Sequence, residues 1–221
     1  KSKKKILYHL KKINPAIIIH LAASNNSYLK RINSKNYKIN YLENIKITKN
    51  LVDSIIELNL KPRFIFAGSS LMFNNTTGKL KVSEKDKFKS CEFYGKYKID
   101  AHNYIISLKK NNKINASTAI LFNHDSIYRN KKFLIPKIIN AFKKKNFNFI
   151  KKIYELNISG DFSHAYDICD GIYKLSISKK NIDKIILSSG KRFYINRILK
   201  YLEKYYNFKI KKKFIKNKKN N

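Results

Sequence analysis

Tyr94 and Lys98 stand four residues apart in Tyr-Gly-Lys-Tyr-Lys, a spacing that puts both on one face of a helix. A phenol with an ordinary pKa of about 10 is a poor base at neutral pH. A neighbouring ammonium favours the phenolate and brings it toward working range. A hydroxyl beside the pair could hold a substrate alcohol while its proton leaves, and Ser69 in Ala-Gly-Ser-Ser at 67–70 is the candidate. The chemistry is proton removal from an alcohol. By itself the spacing specifies little in a chain holding 15 Tyr and 44 Lys.

These residues need elements to place them. The uncharged run 16–21 follows Pro15 and reads as a buried parallel strand. Residues 44–60 carry Ile45, Ile47, Leu51, Val52, Ile55, Ile56 and Leu58 at mostly helical spacing, and a second buried strand, 63–67, begins after Pro62. Strand, helix and strand with short connections imply a right-handed crossover in a parallel sheet. Further along, 68–93 is polar and loop-rich, 94–110 reads as a helix and 117–122 as a strand. Helices are expected at 133–145, 167–178 and 194–206, with a late strand at 185–188. The fold class is α/β, a doubly wound parallel sheet. Ligands of such sheets sit at the carboxyl ends of the strands, where Ser69 and Ser70 fall.

Composition narrows the function classes. The 221 residues hold 49 Lys plus Arg against 14 Asp plus Glu, a formal net charge of +35, with 43% hydrophobic and 13% aromatic content. That is enough apolar material for a core, and no run of about 18 apolar residues exists to span a bilayer. The charge raises a nucleic-acid reading. However, 44 Lys, 34 Ile and 27 Asn make up nearly half the chain, the signature of an AT-rich coding sequence. A surface selected for phosphate favours the bidentate Arg fork over Lys. No specific nucleic-acid partner is expected. Cys91 and Cys169 lie far apart, and His9, His20, His102, His124 and His164 show no ligand spacing. A reducing, cytoplasmic setting without metal or disulfide follows.

Order adds what spacing lacks. His-Leu-Ala-Ala-Ser at 20–24, Ala-Gly-Ser-Ser at 67–70, the Tyr94 to Lys98 segment and Leu-Phe-Asn-His-Asp-Ser at 121–126 occur in sequence. Together they resemble the extended short-chain dehydrogenase/reductase family. The last segment, followed by Arg129, Phe133 and Lys137, and Gly-Asp-Phe-Ser-His-Ala-Tyr-Asp at 160–167 are similar to GDP-mannose 4,6-dehydratases. The resemblance covers roughly residues 13–202.

It implies roles residue by residue. Tyr94 would be the base, Lys98 would contact the nicotinamide ribose and lower the phenol's pKa, and Ser69 would sit beside the substrate 4-hydroxyl. Leu21, Ala22, Ala23, Ser24 and Asn25 would line the cofactor, with His124 and Arg129 contacting NADP (NAD is the alternative). Ser70, Asn123 and Lys137 would hold the sugar nucleotide. The family reaction oxidises C4 of GDP-mannose by hydride transfer, eliminates water across C5 and C6, and returns the hydride to C6. A homo-oligomer is expected of a full-length member.

The sequence departs from that pattern in three places. Leu71 stands where the dehydratases carry a glutamate that handles the C5 proton. Gly160 stands where they carry arginine. Gly68, Gly78, Gly95, Gly160, Gly171 and Gly190 form no Gly-x-x-Gly-x-x-Gly, so the phosphate loop and its helix are expected before Lys1. The domain reading is a partial nucleotide-binding domain over 1–125, a mixed substrate-binding portion over 126–208 and a basic tail over 209–221. Two alternatives stand beside the dehydratase: a sugar-nucleotide epimerase or 4-keto reductase, which needs no group at Leu71, and a non-catalytic basic module that binds polyanions. His20 reads as a packed strand residue, and His164 and Asp167 as caps for the helix that follows.

Overall fold

The computed structural model describes residues 2–24, 34–73 and 81–210. In chain order the elements are α1 (Lys3–Ile13), β1 (Ile17–His20), α2 (Ser34–Glu57), β2 (Arg63–Ser69), a 3-10 turn (Ser70–Phe73), α3 (Phe93–Lys110) and β3 (Asn115–Leu121). They continue with β4 (Asn123–Asp125), α4 (Leu134–Lys143), α5 (Phe147–Leu156), β5 (Ser159–His164), α6 (Ala165–Ile177), β6 (Lys184–Leu187), β7 (Arg192–Tyr194) and α7 (Ile195–Tyr205). Two compact units result, one of 1–122 with 166–187 and one of 123–165 with 188–221.

The first unit is built on a parallel sheet in the order β1-β2-β3-β6. Both faces of β2 are buried, as a strand inside a parallel sheet requires. Phe64 and Phe66 turn to one side, where Leu10, Val52, Ile55, Tyr97, Ala101 and Ile105 form the core beneath α1, α2 and α3. Ile65 points the other way and packs with Ala119 against Ile168, Ile172 and Leu175 of α6. The alternation follows from the two-residue period of a strand.

Most expected elements are present, with shifted ends. Helix α2 begins ten residues before position 44, because Tyr37 stacks on Phe93 at 6.4 Å and the Tyr41 hydroxyl donates to Asp100 at 2.6 Å. These contacts to α3 hold a polar stretch whose periodicity is poor. Helix α1 was hidden among lysines, although Ile6 and Leu10 lie four apart and seat it on the core. Leu21 and Phe122 fall outside the strands to which the pattern assigned them. Residues 25–33 and 211–221, and with them Asn25 and most of the expected basic tail, lie outside the described residues.

The second unit pairs β4 with β5 in parallel and β5 with β7 in antiparallel. Its core joins Ile138 and Phe142 of α4, Ile150 and Ile153 of α5, and Ile195 and Leu199 of α7. Helix α5 and the short strands β4, β5 and β7 escaped the sequence reading. Asp167 lies in the first turn of α6, as a residue favourable to that helix end should.

Asparagine does here what glycine usually does. Asn14, Asn59, Asn112, Asn157 and Asn207 have positive φ between 42° and 54° just beyond α1, α2, α3, α5 and α7. Asparagine tolerates the left-handed turn that ends a helix, so a chain with six glycines and 27 asparagines still closes its helices.

Candidate active site

Helix α3 delivers Tyr94 and Lys98 to the carboxyl end of β2. Lys98 is only 2% exposed, and its Nζ donates to the Ala67 carbonyl at 2.6 Å. The ammonium also faces the Tyr94 ring at 5.4 Å. Burial pulls this amine down from the ordinary lysine range to about 7, since leaving water penalises the charged form. The Lys98 cation is therefore present below about pH 7 and fades above it.

Two tyrosines occupy the Tyr-Gly-Lys-Tyr-Lys segment, and burial separates their roles. Tyr97 is wholly buried, its oxygen lies 3.1 Å from Thr48 Oγ1, and burial pushes its phenol up. Tyr94 is half-buried and is the phenol a substrate could reach. Gly95 lets α3 start close to the 3-10 turn after β2: a Cβ there would lie 2.6 Å from the Leu71 carbonyl oxygen and closer still to Ser90 Oγ. Ser69 ends β2 and its Oγ accepts the Leu71 N–H at 3.3 Å, while Ser70 opens the 3-10 turn. Gly68 is packed likewise, with Met72 Sδ and Thr118 Cγ2 each 3.1 Å from the Cβ it lacks.

Leu21, Ala22, Ala23 and Ser24 leave the carboxyl end of β1; Leu21 is exposed, and Ala23 rests on the core. A residue the sequence reading missed holds this segment. Asn44 of α2, itself buried, accepts the Ser24 N–H at 2.7 Å and donates to the Ser24 carbonyl at 2.8 Å. One turn on, buried Thr48 lies 2.9 Å from His20 Nε2. The signal was two polar residues at i and i+4 on the apolar stripe of α2. His20 is a packed strand residue as expected, and burial lowers it to about 4, so it stays neutral at physiological pH.

Asn123, His124, Arg129 and Lys137 belong to the second unit. Asn123 and His124 lie on β4 against Phe162 and Ser163 of β5, and Lys137 is exposed on α4. The Arg129 guanidinium stacks over Phe133 at 3.6 Å, and its buried Nε meets no hydrogen-bond acceptor among the described residues. Among the described residues no group of His, Cys, Asp and Glu could hold a metal, and no helix is long and apolar enough to cross a membrane.

The chain is 29% identical over 236 residues to "Probable polyketide synthase 38" of Dictyostelium discoideum, covering 95% of this chain and 7% of that protein. It is 27% identical over 194 residues to the GDP-6-deoxy-D-talose 4-dehydrogenase of Aggregatibacter actinomycetemcomitans, covering 87% of this chain and 63% of that enzyme. The chain thus spans less than two thirds of either curated relative. Among solved structures, RMD from Pseudomonas aeruginosa complexed with NADPH superposes with a TM-score of 0.76 at 16% identity, over 95% of this chain and 72% of that one. UDP-glucose 4-epimerase from Brucella ovis with NAD gives 0.70 at 16%, over 91% and 66%. At such identities the likeness establishes the Rossmann-like α/β fold. The model of the family described as GDP-mannose 4,6 dehydratase matches residues 2–221, and the chain belongs to that family.

Proposed function

We propose that the chain carries the catalytic helix of a nicotinamide-dependent enzyme acting at C4 of a nucleotide sugar, GDP-mannose in the first reading. The supporting observation is the buried Lys98 beside half-buried Tyr94 at the end of the strand bearing Ser69. NADP, when bound, supplies the hydride acceptor and donor. The residues of the first unit that would hold it are Leu21, Ala22, Ala23 and Ser24 after β1 and Lys98; the family resemblance adds His124 and Arg129 of the second unit. Tyr94 takes the proton of the C4 hydroxyl, Ser69 holds that oxygen in place, and the Lys98 ammonium favours the phenolate. Ser70, Asn123 and Lys137 hold the nucleotide sugar.

A second reading has its own observation. Leu71 cannot carry the C5 proton that water elimination requires, whereas an epimerase or 4-keto reductase needs only the C4 hydride step. The name of the Aggregatibacter relative supports this branch. The polyanion module is the third reading, supported by the net charge of +35.

The test supplies the chain, extended by the phosphate-loop segment expected before Lys1, with GDP-mannose and NADP, and separately with the 4-keto-6-deoxy sugar nucleotide and NADPH, following absorbance of the reduced cofactor and the sugar product by NMR. Tyr94→Phe should lower turnover by about two to four orders of magnitude. Unchanged turnover in that variant rejects Tyr94 as the base. No turnover on either substrate, with steeply salt-dependent DNA binding, would favour the polyanion module.

A further inference from the structure

Three aromatic rings surround the Lys98 ammonium. Its Nζ lies 4.8 Å from the Phe66 ring, 5.0 Å from Tyr97 and 5.4 Å from Tyr94. A cation that has left water needs other groups in place of its hydration, and ring faces provide an attraction that strengthens as water is removed. The Ala67 carbonyl supplies one hydrogen bond; the rings supply the remaining walls.

Tyr97 is the wall whose place is set most firmly. Its ring stands edge-on to Phe66 at 88° and is inclined to Tyr94 at 62°. At its far end the oxygen meets Thr48 Oγ1 at 3.1 Å, and Thr48 in turn meets His20 Nε2 at 2.9 Å. The chain of contacts ties α3 through α2 to the end of β1. A ring pinned at both its stem and its hydroxyl cannot swing away from the ammonium.

We propose that Tyr97 is a positioning residue: locked through Thr48 and His20, its ring helps hold the Lys98 ammonium as a cation beside Tyr94. This role rests on the assignment of Lys98 to the site. Around Lys98 the titratable groups are His20 on β1 and Tyr94 and Tyr97 on α3. From β2 come the Phe66 ring and the Ala67 carbonyl. His20, lowered to about 4, keeps one charge state while Lys98 titrates near 7.

The test needs no turnover. The 221-residue chain labelled with 13Cε,15Nζ-lysine is titrated by NMR, with the Lys98 signal assigned by its loss in Lys98→Met. Tyr97→Leu should move the Lys98 midpoint down by about half to one pH unit, the size of one cation–π contact. Tyr97→Phe keeps the ring and should restore most of the wild-type midpoint. Loosened packing alone would admit water and raise the midpoint; a rise, or no change, overturns the proposal. Should Tyr97→Leu fail to fold, Thr48→Val carries the test, because it keeps every ring and removes the tether. Its midpoint should also fall, with recovery in Thr48→Ser, and an unmoved midpoint overturns the proposal. A downward shift in a chain inactive on every nucleotide sugar would retain the cage and reject the enzymatic reading, so the two fail separately.

Discussion

Replacing Lys98 by methionine should remove the candidate cation and at the same time stabilise the protein near neutral pH. The folded amine titrates near 7, whereas in the unfolded chain it takes the ordinary lysine value of about 10.4. Between those values the unfolded state binds the extra proton, so stability rises with pH across this window. Below about pH 7 the amine is charged in both states and the penalty for burying it is fully present. A shift of about three and a half units corresponds to roughly 5 kcal/mol. Loss of the hydrogen bond from this charged donor to the Ala67 carbonyl returns about 2 kcal/mol, leaving a gain on the order of 3 kcal/mol. Urea denaturation of both proteins at pH 6, 7.5 and 9 measures it. With a slope of about 1–3 kcal/mol per molar, the midpoint of Lys98→Met should lie about 1–3 M higher at pH 6. The gain should shrink at pH 9. A variant that is less stable, or equally more stable at all three pH values, would refute the reasoning.

Three further outcomes are expected. Gly95→Ala places a methyl against the Leu71 backbone oxygen at 2.6 Å, so the start of α3 must shift, costing about 1–3 kcal/mol in thermal or urea unfolding. Asn44→Asp keeps size but turns an acceptor toward the Ser24 carbonyl, which should cost about 1–3 kcal/mol and speed hydrogen exchange at the Ser24 amide; exchange equal to wild type would remove Asn44 from that role. Leu71→Glu should introduce elimination from GDP-mannose, detected as a 4-keto-6-deoxy product. If activity is otherwise intact and no such product forms, the epimerase or reductase branch is favoured.

The biased composition shapes how this chain folds without changing what it folds into. Lysine displaces other residues on exposed helix faces, as on α1, where Ile6 and Leu10 alone seat the helix on the core. Asparagine takes the left-handed positions after five helices. Both substitutions are tolerated because the sheet core relies on Phe64, Ile65 and Phe66, whose burial depends on strand alternation rather than on surface chemistry.

Much of this was readable from residues alone. The runs at 16–21 and 63–67, uncharged or nearly so within a lysine-rich chain, announced two strands of the sheet, but only β2 is buried as expected: Ile17 and Ile19 of β1 are exposed. Tyr94 and Lys98 were singled out by the ordered motifs around them, since four-residue spacing specifies little in a chain this rich in both, and Ser69 by its place at the end of a strand. Short β4, β5 and β7 were not readable, since three to six residues carry too little periodicity. What the tertiary structure alone decided is the state of Lys98: its spacing predicts a neighbour for Tyr94, but not that it would lie 2% exposed among three rings and lose its charge near neutrality. Nor could spacing reveal that Tyr97 is wholly buried, or that Asn44 holds Ser24. A pKa and a hydrogen bond depend on which distant segments exclude water from a group. That is a property of packing, and packing is written in no single stretch of the chain.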